Sequence, residues 1–342
     1  MTRAYDPAGV PRRACRLGDL TLESGDVIED FAISYVAHGT LNADRSNAIL
    51  VASSIAGDAH RLDFLIGHGL ALDPQRYFVV ATDAIGNGQT TSPSNSRTQP
   101  LFSFPRFSIR DMVRSQRCLL ERQFGITHLV AVAGASMGGM QALQWGVSHP
   151  GFMDAIVALV PLARTPAWSI AINETSRKIL MAGTDADGAA DARVWRAWVD
   201  FMHVIAGRTP AGLTELFPRG GDVVAWMATL EAEWLAKRLN AVDWVYQTRA
   251  YDDHDVGRTD GFNGDTTAAL RSIRARTMIL SPPLDLYNPI EESEAMARLI
   301  PDVRCVQIPS AHGHASSGKA EPRNVAFMNE AIGEFLRALE AS

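Results

Sequence analysis

Cysteine is scarce in this chain. Its 342 residues hold three, Cys15, Cys118 and Cys305, far apart in sequence and odd in number. That excludes a disulfide framework, and with no Cys-x-x-Cys spacing it excludes a thiolate zinc site. A reducing cytoplasm is the expected compartment. Cys118 and Cys305 lie in apolar patterns and are expected to be buried thiols. Long apolar runs are missing too. No stretch approaches the ~18 uncharged apolar residues of a membrane helix, and the start, MTRAYDPAGVPRRAC, lacks the apolar core of a secretory signal. Excess positive charge is also absent: 32 Lys and Arg stand against 38 Asp and Glu, a formal net charge of −6. Nucleic acid and an anionic membrane are therefore excluded as main partners. No His-Glu-x-x-His or clustered ligand set points to a metal.

What is present is a composition with 46% hydrophobic and 20% charged residues, ordinary for an enzyme with a sizeable core. The length allows one large domain with an insertion, or two domains. Leu17 to Leu22 and Ile28 to Ala37 flank Glu23-Ser24-Gly25-Asp26, a hairpin signal. AILVASS (Ala48 to Ser54) and YFVVATD (Tyr77 to Asp83) are continuous apolar runs that suit parallel strands buried on both faces. Ser108 to Phe124 reads as an amphipathic helix with Ser108 as N-cap. Then come the strand Leu129 to Ala135, a helix after Ser136, and the strand Ala155 to Ala163. Near the C-terminus the strands Thr277 to Pro283 and Val303 to Pro309 alternate with helices Glu291 to Leu299 and Arg323 to Leu339. Such alternation predicts an α/β fold, a mostly parallel central sheet with helices on both faces.

Between them the alternation stops. Residues 164–265 read as a helical insertion, with 1–163 and 266–342 forming the core. Helices are expected over Trp168 to Met181, Ala192 to Ala206 and Asp222 to Asn240. Six of the seven tryptophans lie here, Trp168, Trp195, Trp198, Trp226, Trp234 and Trp244. They fit a cap over a cleft or a subunit interface, and equally the core of a helical subdomain.

The most informative stretch is VAVAGASMGGMQALQWGV, from Val130 to Val147. Gly134-Ala135-Ser136-Met137-Gly138 sits between a buried strand and a helix, the pattern of a nucleophile elbow. The turn needs residues without bulky side chains, and it lifts the serine Oγ above the sheet edge beside a helix N-terminus. A serine hydroxyl is a poor nucleophile, so it needs a base, and the base an orienting acid. In this fold class they follow in the order Ser, Asp, His. Asp285 follows the strand Thr277 to Pro283. The loop PSAHGHASS after the last strand offers His312 and His314, of which one is the base. Two histidines two apart, with no third ligand, are poor evidence for metal. The oxyanion of such chemistry needs two N–H donors: Met137, and Ile55 or Ala56 in the loop SSIAGDAH.

The segments ISYVAHGTLNADRSNAIL, AGDAH, FSIRDMVRSQ, AGASMGGMQALQW and INETSRKIL resemble the homoserine O-acetyltransferase family, from about Leu17 to the C-terminus. The resemblance implies an α/β-hydrolase core, a helical lid, ping-pong acyl transfer through an acyl-serine, and a homodimer built through the lid. Ser136, Asp285 and His314 fall on the family's triad; His314 follows Gly313, as its Gly-His motif requires. Arg177 falls on the arginine that reaches the substrate carboxylate. Asp252 and Asp255, in AYDDHD, match an acidic motif of the lid. There are departures. The family's aspartate after the catalytic histidine is Ala315 here, and its Gly-Gly-Cys-Lys-Gly-Ser-Thr-Gly-Pro loop is IGNGQTTSPSN (Ile85 to Asn95). The chain is therefore also similar to a side branch that includes esterases of small acetate esters.

An alanine cannot pair with an ammonium, and leaving either charge of an amino-acid acceptor unpaired costs several kcal/mol. Hydrolysis of short-chain, acetyl-type esters is the expected activity, with no cofactor. The alternative is acyl transfer from acetyl-CoA to homoserine or a related alcohol. A ligand receptor with a dead site is a third reading, which the ordered Ser, Asp and His disfavour. The expected partners are a small ester or acyl donor and an alcohol acceptor.

Overall fold

The computed structural model describes residues 5–319 and 321–340. The first four residues of the N-terminal segment read above lie outside the described residues. Eight strands form one sheet: β1 (Arg13–Thr21), β2 (Val27–His38), β3 (Ala48–Ala52), β4 (Phe78–Thr82), β5 (Leu129–Ala135), β6 (Met153–Leu159), β7 (Arg276–Ser281) and β8 (Val303–Gln307). Their spatial order is β1-β2-β4-β3-β5-β6-β7-β8. β1 and β2 form the antiparallel hairpin, β2 joins β4 antiparallel, and every pairing from β4 to β8 is parallel.

The continuous apolar runs became central strands because both sheet faces are covered. β3 and β4 are buried at every position. Leu50 and Val132 face a core with Met140, Leu143 and Trp145. Ile49, Val51 and Ala133 face a second core with Met328, Ile332 and Leu336. α1 (Ile109–Leu119) and α2 (Met137–Ser148) lie on the first face. On the second lies the last helix, α10 (Pro322–Glu340). Ser108 caps α1 in a reciprocal box with Asp111, and the remainder of that expected helix, Leu120–Phe124, is a π-helical turn.

Between β6 and β7 the chain leaves the sheet for a run of helices. Thr165 N–H donates to the His254 carbonyl, and Val256 N–H to the Ala163 carbonyl, so the outgoing and returning strands of the insertion are tied at its base. The helices are α3 (Ala167–Met181), α4 (Ala192–Val199) continued by a π-helical turn (Asp200–Ala206), α5 (Pro210–Leu216), α6 (Val223–Ala236) and α7 (Ala241–Asp252). α8 (Thr266–Arg271) leads to β7, and α9 (Ile290–Ala297) joins β7 to β8. Trp195, Trp234 and Trp244 all pack edge-on against the fully buried Trp198, so four of the six tryptophans make a lid core. Trp168 stays exposed at its rim.

Two expectations are corrected. The helix read from Asp222 to Asn240 ends at Ala236, because Arg238 turns to φ 50° and Asn240 caps a separate helix, α7, by accepting from Val242 N–H. Of the two cysteines expected to be buried, Cys118 is half-buried and Cys305 exposed, while Cys15 is the buried one. Cys305 lies on β8, which is an edge strand, so an apolar pattern there does not guarantee cover on both faces.

Candidate active site

The elbow is built by close approach of backbones. A Cβ on Gly134 would collide with the Gly138 carbonyl, and one on Gly138 with the carbonyl of Ala52 in β3. Ser136 itself stands at φ 55°, ψ −122°, a conformation that costs an L-residue of order 1–3 kcal/mol. Its N–H donates to the Leu159 carbonyl of β6, and its carbonyl accepts from Met140 N–H, which hold the strained turn from both sides.

Three side chains meet at this turn. Ser136 Oγ lies 2.9 Å from His314 Nε2, and His314 Nδ1 lies 2.7 Å from Asp285 Oδ2. The other Asp285 oxygen accepts from Tyr287 N–H and Asn288 N–H at 2.8 and 2.9 Å. Asp285 thus makes its turn and holds the histidine with separate oxygens, and its carboxylate is fully buried. With Nδ1–H donated to Asp285, Nε2 is free to accept the serine proton. The other histidine of the loop is elsewhere. His312 is buried between Glu215 of the lid (3.3 Å) and Glu321 of the core (3.0 Å), where it clamps one to the other. Among the described residues no group of three or more His, Cys, Asp or Glu is placed to hold a metal ion.

The loop after β3 lies against the elbow. Ser54 Oγ donates to the Ala135 carbonyl at 2.7 Å, and Gln141 of α2 donates to the Ser53 carbonyl at 3.0 Å. Of the two donors read in this loop, Ala56 N–H is already given to Gln247 Oε1 at 2.9 Å. The N–H groups of Ile55 and Met137 bond to no other described residue.

Arg177 and Asp252 come together in a cleft whose lining does not include Ser136. Arg177 Nη1 pairs with Asp252 Oδ2 at 2.7 Å, and Nη2 with Glu174 Oε2 at 2.8 Å. They line a cleft of about 410 Å³ between α3 and α7, with Arg106, Lys178 and Arg249. A chain of polar contacts leads inward from it. Asn173 Nδ2 donates to Asp252 Oδ1 (2.7 Å), Tyr287 Oη donates to Asn173 Oδ1 (2.6 Å), and the Tyr287 ring meets the His314 ring edge-on. Burial raises the Asp252 carboxyl and the Tyr287 phenol above their usual ranges. Asp255 is structural: its Oδ1 accepts from Gly257 N–H and Thr266 Oγ1–H.

Tyr287, Asn173 and Gln247 were not singled out from the sequence. Tyr287 carries a usable signal, since it follows Asp285 by two. Gln247 carries none, because its partner Ala56 is 191 residues away.

A serine raised on a strand-to-helix turn, with a histidine and a carboxylate in series behind it, defines this as an α/β-hydrolase-fold protein. The α/β hydrolase fold family matches over residues 55–183. A homoserine O-acetyltransferase of Thermobifida fusca is 34% identical, over 91% of each chain. One of Nostoc punctiforme is 32% identical, over 86% of this chain and 88% of its own. The chain belongs to the homoserine O-acetyltransferase family of α/β-hydrolase-fold proteins. Among solved structures, an acetylester hydrolase from Corynebacterium glutamicum superposes with a TM-score of 0.89 at 27% identity, over 96% of both chains.

Proposed function

We propose that this protein hydrolyses short-chain, acetyl-type esters through an acyl-enzyme. Ser136 Oγ attacks the ester carbonyl as His314 Nε2 takes its proton. Asp285 holds the imidazole in the required tautomer and steadies its positive charge. The oxyanion is received by the N–H groups of Met137 and Ile55. His314 then gives its proton to the departing alcohol, and water, deprotonated by the same nitrogen, releases the acid. These steps need no cofactor. The observation that carries the reading is the series of 2.9 and 2.7 Å contacts from Ser136 through His314 to Asp285.

Three observations favour water as the acceptor. Position 315 is alanine, which offers an ammonium nothing. Arg177 is already neutralised by Asp252 and Glu174, and the cleft it lines does not include Ser136. The acetylester hydrolase superposes closely over nearly the whole chain. Transfer from acetyl-CoA to homoserine is the second reading, and the identities of 32% and 34% to homoserine O-acetyltransferases support it. The test offers the enzyme a panel of alkyl acetates, and separately acetyl-CoA with homoserine. Hydrolysis of acetates without O-acetylhomoserine supports the proposal; O-acetylhomoserine forming faster than acetates are cleaved overturns it in favour of transfer.

We also propose a homodimer through the lid, on which Val224 and Ile205 are 75% and 63% exposed. A monomer in sedimentation at micromolar concentration would refute this. Three free cysteines fit a reducing, cytoplasmic setting. No helix among the described residues is long and apolar enough to cross a membrane.

A further inference from the structure

Gln247 belongs to the lid helix α7 yet reaches the loops at the sheet edge, where it is buried. Its Oε1 accepts the Ala56 N–H at 2.9 Å, and its Nε2 donates to the Ile85 carbonyl at 3.2 Å. One lid side chain therefore ties the loop after β3 to the loop after β4. Room for it is kept by Gly86, at φ 83°, where a Cβ would lie 3.0 Å from Gln247 Cγ.

The neighbours of Ala56 in the β3 loop carry other ties, among them Ser53 Oγ, which accepts from Ala84 N–H at 2.9 Å, and the Gly57 carbonyl, which accepts from Asn87 Nδ2 at 3.2 Å. Gln141 holds the Ser53 carbonyl, Ser54 Oγ holds the Ala135 carbonyl, and Gly57 N–H closes a turn on the Ser54 carbonyl at 3.0 Å. Ala56 stands at φ 49°, in the left-handed region an alanine seldom adopts, so its conformation needs an external hold. The Ala56 N–H belongs to the peptide plane that leaves Ile55. Fixing that plane on one side, with Ser54 anchored on the other, leaves the Ile55 N–H little freedom.

We propose that Gln247 is a positioning residue for the oxyanion site: by holding the Ile55–Ala56 peptide from the lid, it aims the Ile55 N–H at the developing negative charge. The inference rests on the acyl-enzyme reading above. An oxyanion donor is useful only if it is aimed before the charge appears, since reorientation during reaction would consume the gain. Gln247 touches no reacting atom, so its loss should cost less than the ~10²–10³ of deleting a donor outright.

The test compares wild type with Gln247→Met, which keeps length and packing but loses the acceptor and donor. On an alkyl acetate, kcat should fall about 10- to 100-fold with KM held within about twofold, and affinity for a trifluoromethyl ketone should fall by the same factor as kcat/KM. The ketone adds to the serine and carries an oxyanion, so this parallel loss is one that a merely structural role would not produce. A kcat and ketone affinity within about twofold of wild type, or a change confined to KM, overturns the proposal. A second measurement needs no variant. In wild type labelled with ¹⁵N-Ala, ¹⁵N-Ile and ¹⁵N-Met, ketone addition should shift the Ile55 and Met137 amide protons downfield and leave that of Ala56 in place. An Ala56 shift as large as that of Met137 means Gln247 has let go, and overturns the proposal even if Gln247→Met does not fold. If wild type forms no adduct on Ser136, the acyl-enzyme reading itself falls, and this inference with it; an adduct with the wrong amides shifting sinks only the role of Gln247.

Discussion

Tyr287 meets the His314 ring edge-on, with centroids 5.0 Å apart and planes at 78°. Its own N–H donates to Asp285, and its hydroxyl to Asn173 in the lid. One residue thus touches both members of the relay behind Ser136 and fastens them to the helices above. Tyr287→Phe keeps the ring and the backbone bond, and leaves the buried Asn173 Oδ1 without that donor. It is expected to lower stability by ~1–3 kcal/mol in urea titration, with kcat little changed. Tyr287→Ala removes the wall of the histidine and should lower kcat about tenfold or more, through misplacement of the imidazole. Equal kcat for both variants would deny the ring any part in holding His314.

The two histidines of the loop separate cleanly. On the proposed acyl-enzyme route, His314→Ala removes the base and should reduce ester hydrolysis by at least ~10³-fold. His312→Ala leaves the relay intact and removes the imidazole that contacts both Glu215 and Glu321. It should retain hydrolysis within about tenfold while melting earlier, since a clamp between lid and core is lost. Steady-state rates and thermal melts of both variants decide this; a dead His312→Ala that melts like wild type would reverse the assignment.

The glycine pattern of the elbow carries its own prediction. Gly138→Ala places a methyl group against the Ala52 carbonyl, which is backbone and cannot swing away. A destabilisation of at least ~1–3 kcal/mol is expected, as for overpacking in a rigid core. Gly151→Ala, where nothing lies within 4 Å, is the control and should be near neutral. Similar urea midpoints for the two variants would contradict the packing of α2 on β3.

Asp243 of α7 gives a pH dependence. It accepts from Ser94 N–H at 2.9 Å and from the Ser94 hydroxyl, and burial pushes its carboxyl up to about 6. The folded value lies above the unfolded one, so ionisation costs stability. The cost is absent below about pH 4, grows as pH rises to about 6, and is constant beyond. Across that window, the stability of wild type relative to Asp243→Asn should fall by up to ~3 kcal/mol. A difference that is flat from pH 4 to 7 would mean the carboxyl titrates normally.

What the sequence made legible follows the range of each interaction. β5, the elbow and α2 were readable because Gly134, Ser136 and Gly138 constrain one another within five residues. The relay was readable in part: chain order and loop position chose Asp285, but His314 over His312 needed the family resemblance or coordinates. α7 was missed although Asn240 is a good N-cap residue, because the apolar periodicity before it ran on without an obvious stop. Cys305 was misread since a strand pattern does not say which strand lies at an edge. Arg177 was expected at a substrate carboxylate; its i,i+3 pairing with Glu174 runs along α3 itself, but its pairing with Asp252 depends on how α3 meets α7. No local pattern encodes that.

The most direct test of the central claim is where a fluorophosphonate probe attaches. Peptide mass spectrometry of the labelled wild type should find a single adduct on Ser136, with labelling lost in Ser136→Ala and strongly slowed in His314→Ala. Probe on another residue, or no labelling of folded protein, would contradict the assignment of Ser136 as the nucleophile.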